Sequence, residues 1–368
     1  MIPVNRPLVY SKNNKEIEKS LGLRWISGDG PIVKKFEKKF SEIIGSKFAV
    51  TVSNGTAALE VALAALKLKP GSKVIVPNLT IISCLNAILR NNLEPVFVDV
   101  NKNDFNICIL DLKKKINKNI KAMIMVHTYG LPSNIKEIML LKKKFNFKII
   151  EDCAEGLGLK YKNKFLGRYG DLSIFSFYSN KLITTGEGGM ISVNNKKLYE
   201  KCKSLRNLCF GKINRFNHDD IGWDYRMTNI QASLGLSQIK NINKVIKKKM
   251  TIGKRYYLNL LQNENIKMLP PSSAHSKNIY WVVGIVIKNK KILASDLAKK
   301  LNKLGIMTRP FFWPMHEQDI FKKMKIFKKY NFPNSSYLAR YGLYLPSYYS
   351  LKNSEIDYIS RIVNNLLI

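Results

Sequence analysis

From residue 30 to residue 195 the chain alternates short runs of apolar, largely β-branched residues with longer stretches whose apolar positions recur every three or four residues. The short runs are Val74-Ile75-Val76, Pro95-Val96-Phe97-Val98-Asp99-Val100, Ala122-Met123-Ile124-Met125-Val126, Lys148-Ile149-Ile150, Ser173-Ile174-Phe175-Ser176-Phe177 and Met190-Ile191-Ser192-Val193. Such runs read as strands and the segments between them as amphipathic helices. In the stretch 135–145, Ile138, Leu140, Leu141 and Phe145 are the apolar positions and the lysines lie outward. Strand and helix in alternation predict α/β units around a mostly parallel sheet, in one large domain.

Beyond Met227 the pattern changes. Residues 230–261 carry one long helical periodicity, read as a connecting segment. The β-rich run Tyr280-Trp281-Val282-Val283-Gly284-Ile285-Val286-Ile287 precedes a helix at 294–304, a proline and aromatic stretch at 309–316 and a last helix at 353–367. These predict a second, smaller α/β domain. The expected division is a large domain over 1–245 and a small one over 246–368, with the N-terminal residues packed beside the latter.

A chain of 368 residues, 45% apolar and 10% aromatic, is long enough to bury two cores. Its formal net charge of +36 raises the question of a nucleic acid or an anionic membrane as partner. The lysines, however, are spread over 113–118, 142–144, 247–249 and 288–291, usually beside Asn and Ile, so the charge solvates many surfaces. No RRM, helix-turn-helix or finger signature accompanies it, and no nucleic acid is expected. A diffuse positive field still favours phosphate-bearing substrates. Cys84, Cys108, Cys153, Cys202 and Cys209 form no C-x-x-C pair, and His127, His218, His275 and His316 show no helical metal spacing. Reduced, mostly buried thiols and no metal are expected. Ile2-Pro3-Val4-Asn5-Arg6-Pro7 has no leader character, and no window reaches roughly 18 consecutive apolar residues, so a cytoplasmic protein without a membrane span is expected.

Three settings carry candidate chemistry. Val52-Ser53-Asn54-Gly55-Thr56-Ala57-Ala58-Leu59 leads into a helix at 57–66. Small residues there expose backbone N–H groups at a helix N-terminus, which can bind a phosphate dianion, although the same residues make a plain turn and cap. Asp152 ends the run Lys148-Ile149-Ile150 and opens Glu151-Asp152-Cys153-Ala154-Glu155-Gly156, a buried strand delivering a carboxylate to its C-terminal tip. Lys181 lies in Ser176-Phe177-Tyr178-Ser179-Asn180-Lys181-Leu182-Ile183-Thr184-Thr185-Gly186-Glu187-Gly188-Gly189, a short strand, one lysine and a glycine-rich turn. Singly, Asp152 reads as a strand-end turn residue and Lys181 as a surface lysine. Together with the phosphate cradle they supply the three anchors of pyridoxal 5′-phosphate: a carboxylate to keep the ring nitrogen protonated, an amine to form a Schiff base, and a helix end for the phosphate.

Further motifs follow in order along most of the chain: Trp25-Ile26-Ser27, Phe36-Glu37, Pro77-Asn78-Leu79-Thr80, Tyr225-Arg226-Met227-Thr228-Asn229, Arg309-Pro310-Phe311-Phe312 and Leu345-Pro346-Ser347. With the three settings above, they make the chain resemble the DegT/DnrJ/EryC1/StrS family of nucleotide-sugar aminotransferases. The resemblance implies the aspartate aminotransferase type I fold and a homodimer with shared active sites. It implies that Lys181 forms the Schiff base and shuttles protons, that Asp152 pairs with the ring nitrogen, and that Gly55, Thr56 and Ser176 take the phosphate. Glu155 falls near the ring hydroxyl, where many relatives carry glutamine. Residues 222–227, Arg226 among them, would reach across the dimer interface to the neighbour's phosphate. The stretch 309–316 would face the site from the small domain, with Arg309 and His316 as substrate contacts. His127 is assigned no chemistry.

The implied reaction moves an amino group from glutamate to C4 of a 4-keto-6-deoxy sugar nucleotide. Glu155 points to the branch that converts GDP-4-keto-6-deoxymannose to GDP-perosamine for surface glycans such as O-antigen. UDP- or dTDP-4-keto-6-deoxyglucose is the alternative substrate. A non-catalytic cofactor-binding regulator or nucleic-acid binder is the alternative of a different class, opposed by the intact Lys181 and Asp152. The family's dehydratase offshoot has histidine in place of this lysine, so transamination is favoured. Two positions depart from the pattern. Ile81 stands where relatives place an aromatic over the cofactor ring, forfeiting stacking worth ~1 kcal/mol. Asp224 stands where asparagine is common, and its charge would repel a phosphate unless it is turned away or offset by Arg226.

Overall fold

The computed structural model describes residues 1–9, 15–22, 24–211, 213–327 and 331–368. The apolar runs form strands β2 (Lys73–Pro77), β3 (Glu94–Val98), β4 (Ile120–Val126), β5 (Lys148–Asp152), β6 (Leu172–Ser176) and β7 (Gly189–Val193), joined by β1 (Phe48–Val52), which the sequence reading left unassigned. They make one seven-stranded sheet in the order β1-β7-β6-β5-β4-β2-β3. The pairs β2–β3, β2–β4, β4–β5 and β5–β6 are parallel, while β7 is antiparallel to both its neighbours. Side chains alternate between two apolar layers. In β4, Met123 and Met125 face the layer of Phe36, Phe40 and Phe175, while Ala122, Ile124 and Val126 face that of Ala58, Leu63 and Ile88. Helices cover both faces, which is why these strands are continuously apolar.

The second sheet has four antiparallel strands, β8 (Ile266–Met268), β9 (Val283–Ile287), β10 (Arg309–Pro310) and β11 (Gly342–Leu345), in the order β8-β9-β11-β10. The single helix expected over 230–261 is two, Asn229–Ile239 and Ile242–Leu260. A capping box of Thr228 and Gln231 starts the first, and Asn241 precedes the second, a residue type suited to a helix boundary. The second helix links the two sheets: Ile242 and Val245 pack in the core of the large sheet, Ile252, Tyr256 and Leu260 in that of the small one. The run 280–287 is strand only from Val283, because Tyr280 takes a left-handed φ of 50°. Ile2 bridges Ile306, and the Ser347 amide donates to the Val4 carbonyl at 3.4 Å, so the first residues run beside the small sheet. One apolar cluster belongs to both sheets: Leu79, Phe105 and Tyr129 meet Trp281, Phe311 and Leu338. All five cysteines are free and only Cys108 is not buried. No helix among the described residues is long and apolar enough to cross a membrane.

Candidate active site

The carboxyl ends of the parallel strands β4, β5 and β6 open onto a cavity of about 730 Å³ whose lining includes Val126, Asp152 and Ser176 from their tips. In open α/β sheets this edge is where ligands bind. Helix Gly55–Ala65 starts at the same edge, its Asn54 side chain accepting the Ala57 N–H at 2.8 Å. The first amides of a helix have no acceptor within it, and here those amides belong to Gly55 and Thr56, both in the cavity lining. A Cβ on Gly55 would lie 3.0 Å from Cβ of Ser176, so glycine lets the helix end and the strand tip close on one another. Thr56 Oγ1 is 2.7 Å from Ser83 Oγ. The helix was expected from 57 and begins two residues earlier.

Asp152 is the last residue of β5 and is buried. One carboxylate oxygen accepts the Ala154 N–H at 2.9 Å and the other the Cys84 thiol at 3.3 Å. Burial raises its pKa, against the pull of those two bonds and of the Lys181 charge. Lys181 also lines the cavity, its Nζ 4.1 Å from the centroid of the Trp281 ring. Burial lowers its pKa, opposed by Glu155 and then Asp152. Glu155 accepts the Tyr129 N–H at 2.9 Å, and burial pushes it up to about 7 against the pull of Lys181. Amine and carboxylates therefore sit close enough to bias one another's protons, as acid–base chemistry near neutral pH requires.

Behind the cavity, Glu151 anchors the tip of β5. It accepts N–H bonds from Gly167, Tyr169 and Gly170, the Ser173 hydroxyl at 2.9 Å, and His127 Nε2 at 3.2 Å. Burial opposes its charge, yet the His127 bond and the Gly167 and Tyr169 amides hold its pKa down to about 2. His127 Nδ1 accepts the Ser133 N–H at 3.1 Å, which leaves the ring proton on Nε2 facing Glu151. Cys153 completes a buried trio with these two, but the His127 and Glu151 atoms are already committed to hydrogen bonds.

Of the sequence-predicted residues, Gly55, Thr56, Ile81, Asp152, Glu155, Ser176, Lys181 and Arg309 all line this one cavity. Arg226 and His316 do not. Arg226 forks onto Asp224 at 2.7 and 2.6 Å and reaches Asn207 at 3.0 Å, so the Asp224 charge is offset within the chain. His316 lies in a short 3-10 turn, held between Asn78 at 2.8 Å and Ser336 at 3.3 Å. That turn packs next to the β2 end through the Met315 N–H to Asn78 carbonyl bond of 2.9 Å. Sequence reading missed Asn180, Trp281 and Tyr344 as lining residues. Asn180 adjoins Lys181 and was open to suspicion, whereas Trp281 and Tyr344 arrive from the small sheet without local signal.

The fold is that of known aminotransferases: PseC of Helicobacter pylori, an aminotransferase involved in the biosynthesis of pseudoaminic acid, superposes with a TM-score of 0.92 at 25% identity, covering 100% of this chain and 99% of that one. Fold and site define a pyridoxal phosphate-dependent aminotransferase. Within that class the chain belongs to the DegT/DnrJ/EryC1/StrS aminotransferase family, which it matches over residues 8–364. It is 39% identical over 369 residues to the GDP-perosamine synthase of Escherichia coli O157:H7, covering 99% of this chain and 98% of that protein. The GDP-perosamine synthase of Vibrio cholerae is 33% identical over 370 residues, with 99% of each chain covered.

Proposed function

We propose that this aminotransferase moves the amino group of glutamate to C4 of GDP-4-keto-6-deoxymannose, forming GDP-perosamine. The observation that carries the reading is the convergence of Lys181, Asp152 and the Gly55–Thr56 helix end on one cavity, in a chain 39% identical to a GDP-perosamine synthase. A volume of about 730 Å³ lies within the range of small-molecule sites, roughly 300–1,000 Å³. The donor set fits pyridoxal 5′-phosphate. A buried carboxylate suits a protonated ring nitrogen, helix amides with the Ser176 hydroxyl suit a phosphate, and Asn180 Oδ1 is buried without a partner, an acceptor available to a ligand.

When bound, the cofactor supplies a carbonyl that condenses with amines and a ring that withdraws electrons. In this reading the chain does the rest. Lys181 would hold the group through its carbonyl and, as a free amine, would move a proton at the substrate carbon, a task suited by the burial that lowers its basicity. Asp152, fixed through Ala154 and Cys84, keeps the ring nitrogen protonated. Arg309 receives an anionic group of the substrate from the far wall. The same proposal includes a homodimer, the division at residue 245 and a cytoplasmic role in surface polysaccharide synthesis. Exposed Ile213, Phe216 and Ile221 support the dimer by offering apolar contact beside residues 222–227.

The test is incubation with ¹⁵N-glutamate and, separately, GDP-4-keto-6-deoxymannose, UDP-4-keto-6-deoxyglucose and dTDP-4-keto-6-deoxyglucose, with products resolved by mass. Label is expected in the GDP sugar. Label in a UDP or dTDP sugar alone would replace the substrate, and label in none would overturn the reading.

A further inference from the structure

Trp281 takes no part in the assignments above, yet the chain around it is built to place it. Tyr280, just before it, holds a φ of 50°, a conformation a bulky aromatic adopts only where its surroundings impose it. Two features impose it. The Asn278 side chain accepts the Tyr280 N–H at 2.8 Å, and the Tyr280 ring lies flush against helix Ile242–Leu260 at Gly253, where a Cβ would come within 2.0 Å of it. The turn delivers Trp281, 6% exposed, to the cavity floor. There its ring centroid lies 4.1 Å from Lys181 Nζ, and its indole N–H donates to the Asn180 carbonyl at 3.1 Å. Its ring is parallel to that of Tyr129 within 2°, with the centroids 6.3 Å apart.

We propose that Trp281 is a positioning residue for Lys181, its ring face seating the ε-amine and its N–H fixing the carbonyl of the residue before it. The inference rests on the reading of Lys181 as the amine that takes the cofactor carbonyl. An aromatic face attracts an ammonium, indole most strongly, and the attraction grows when water is excluded. The charged or titratable groups nearest Lys181 are Asp152 and Glu155, which act on it directly; Tyr178, Glu187, Arg309 and Tyr344 share its cavity lining, and Arg6, Lys249, Tyr348 and Tyr349 the adjoining small one. Asp152 and Glu155 favour the charged amine, and burial disfavours it. The indole, 4.1 Å from the amine, adds to the carboxylates' side. Since Trp281 leads directly into β9, a shift of the small sheet is felt at the lysine.

The experiment mixes apoprotein with pyridoxal phosphate across about pH 6 to 10, traps the adduct with borohydride and maps it by mass, for the parent, Trp281→Phe and Trp281→Met. The adduct is expected on Lys181, with a trapping midpoint displaced toward acid by about one pH unit in Trp281→Met and by less in Trp281→Phe. A merely structural role would lower the yield at every pH and leave the midpoint in place. Midpoints that coincide across the three proteins, or move equally in both variants, overturn the proposal. An adduct on another lysine overturns instead the assignment of Lys181. Should Trp281→Met not fold, Trp281→Phe decides, because a benzene face binds a cation less well than indole and an unmoved midpoint refutes the seating.

Discussion

Lys249 offers a prediction whose sign changes with pH. It lies on helix Ile242–Leu260, buried, with its Nζ bound to the carbonyl and hydroxyl of Ser347, the hydroxyl at 3.0 Å. Burial drives its pKa down to about 7. A lysine in the unfolded chain titrates near ~10.4. Between those values the unfolded state holds a proton that the folded state releases, so this group's contribution to stability rises with pH across that window. The cost of giving up, on folding, the proton that the unfolded lysine keeps is ~4 kcal/mol at about pH 7.5 and under ~1 kcal/mol at about pH 10. Lys249→Met removes that penalty but leaves the Ser347 carbonyl without its donor, a cost of ~1–3 kcal/mol. The variant should therefore be more stable than the parent by ~1–3 kcal/mol at about pH 7.5 and less stable by up to ~2 kcal/mol at about pH 10, with the lines crossing near pH ~9. Urea unfolding midpoints of both proteins at four pH values measure it. Parallel lines with no crossing would show that the ammonium is accommodated by Ser347 and that burial does not dominate.

Asp99 accepts the Asn334 and Ser335 amides at 3.1 and 2.9 Å and the Ser335 hydroxyl at 2.6 Å, at the start of helix Pro333–Tyr341. Asp99→Ala should cost ~2–3 kcal/mol in urea unfolding, and a loss under ~0.5 kcal/mol would remove the cap from that role. Asp152→Asn should keep the fold and slow the half-reaction with glutamate far more than it loosens cofactor retention, as followed by absorbance; near-native rates would exclude the proposed pairing. Ile81 lines the cavity and is 39% exposed, which leaves room for a larger ring. Ile81→Phe should accordingly tighten cofactor binding by up to ~1 kcal/mol in a titration, whereas a loss of ~1–3 kcal/mol would mean the pocket has closed around the isoleucine.

The large sheet was legible because its strands are buried on both faces and so appear as unbroken apolar runs. β1, with Ala49 and Thr51 in a run of five, carries a weaker signal and runs straight into the turn at Asn54. The split at Asn241 is hidden by apolar periodicity that continues on both sides of it. At the site, Asp152, Lys181 and Gly55 were legible because each sits in a local setting, a strand tip, a glycine-rich turn or a helix start. Trp281 was not, since its place depends on a left-handed neighbour and on clearance at Gly253, which lies in another element. His316 lies outside the cavity lining, in a 3-10 turn. Of the stretch 309–316, Arg309 and Phe312 line the cavity, a division that the sequence does not mark.

The apolar cluster of Leu79, Phe105 and Tyr129 with Trp281, Phe311 and Leu338 ties the folding of the two sheets together. As the chain is synthesised, the first three emerge long before the last three, so the large sheet waits with aromatic surface uncovered until the small sheet is in place. Neither half is a self-sufficient unit for expression. A fragment ending at residue 245 keeps the large-sheet strands and Lys181 but presents Tyr129 and Phe105 to water, and its expected fate is aggregation.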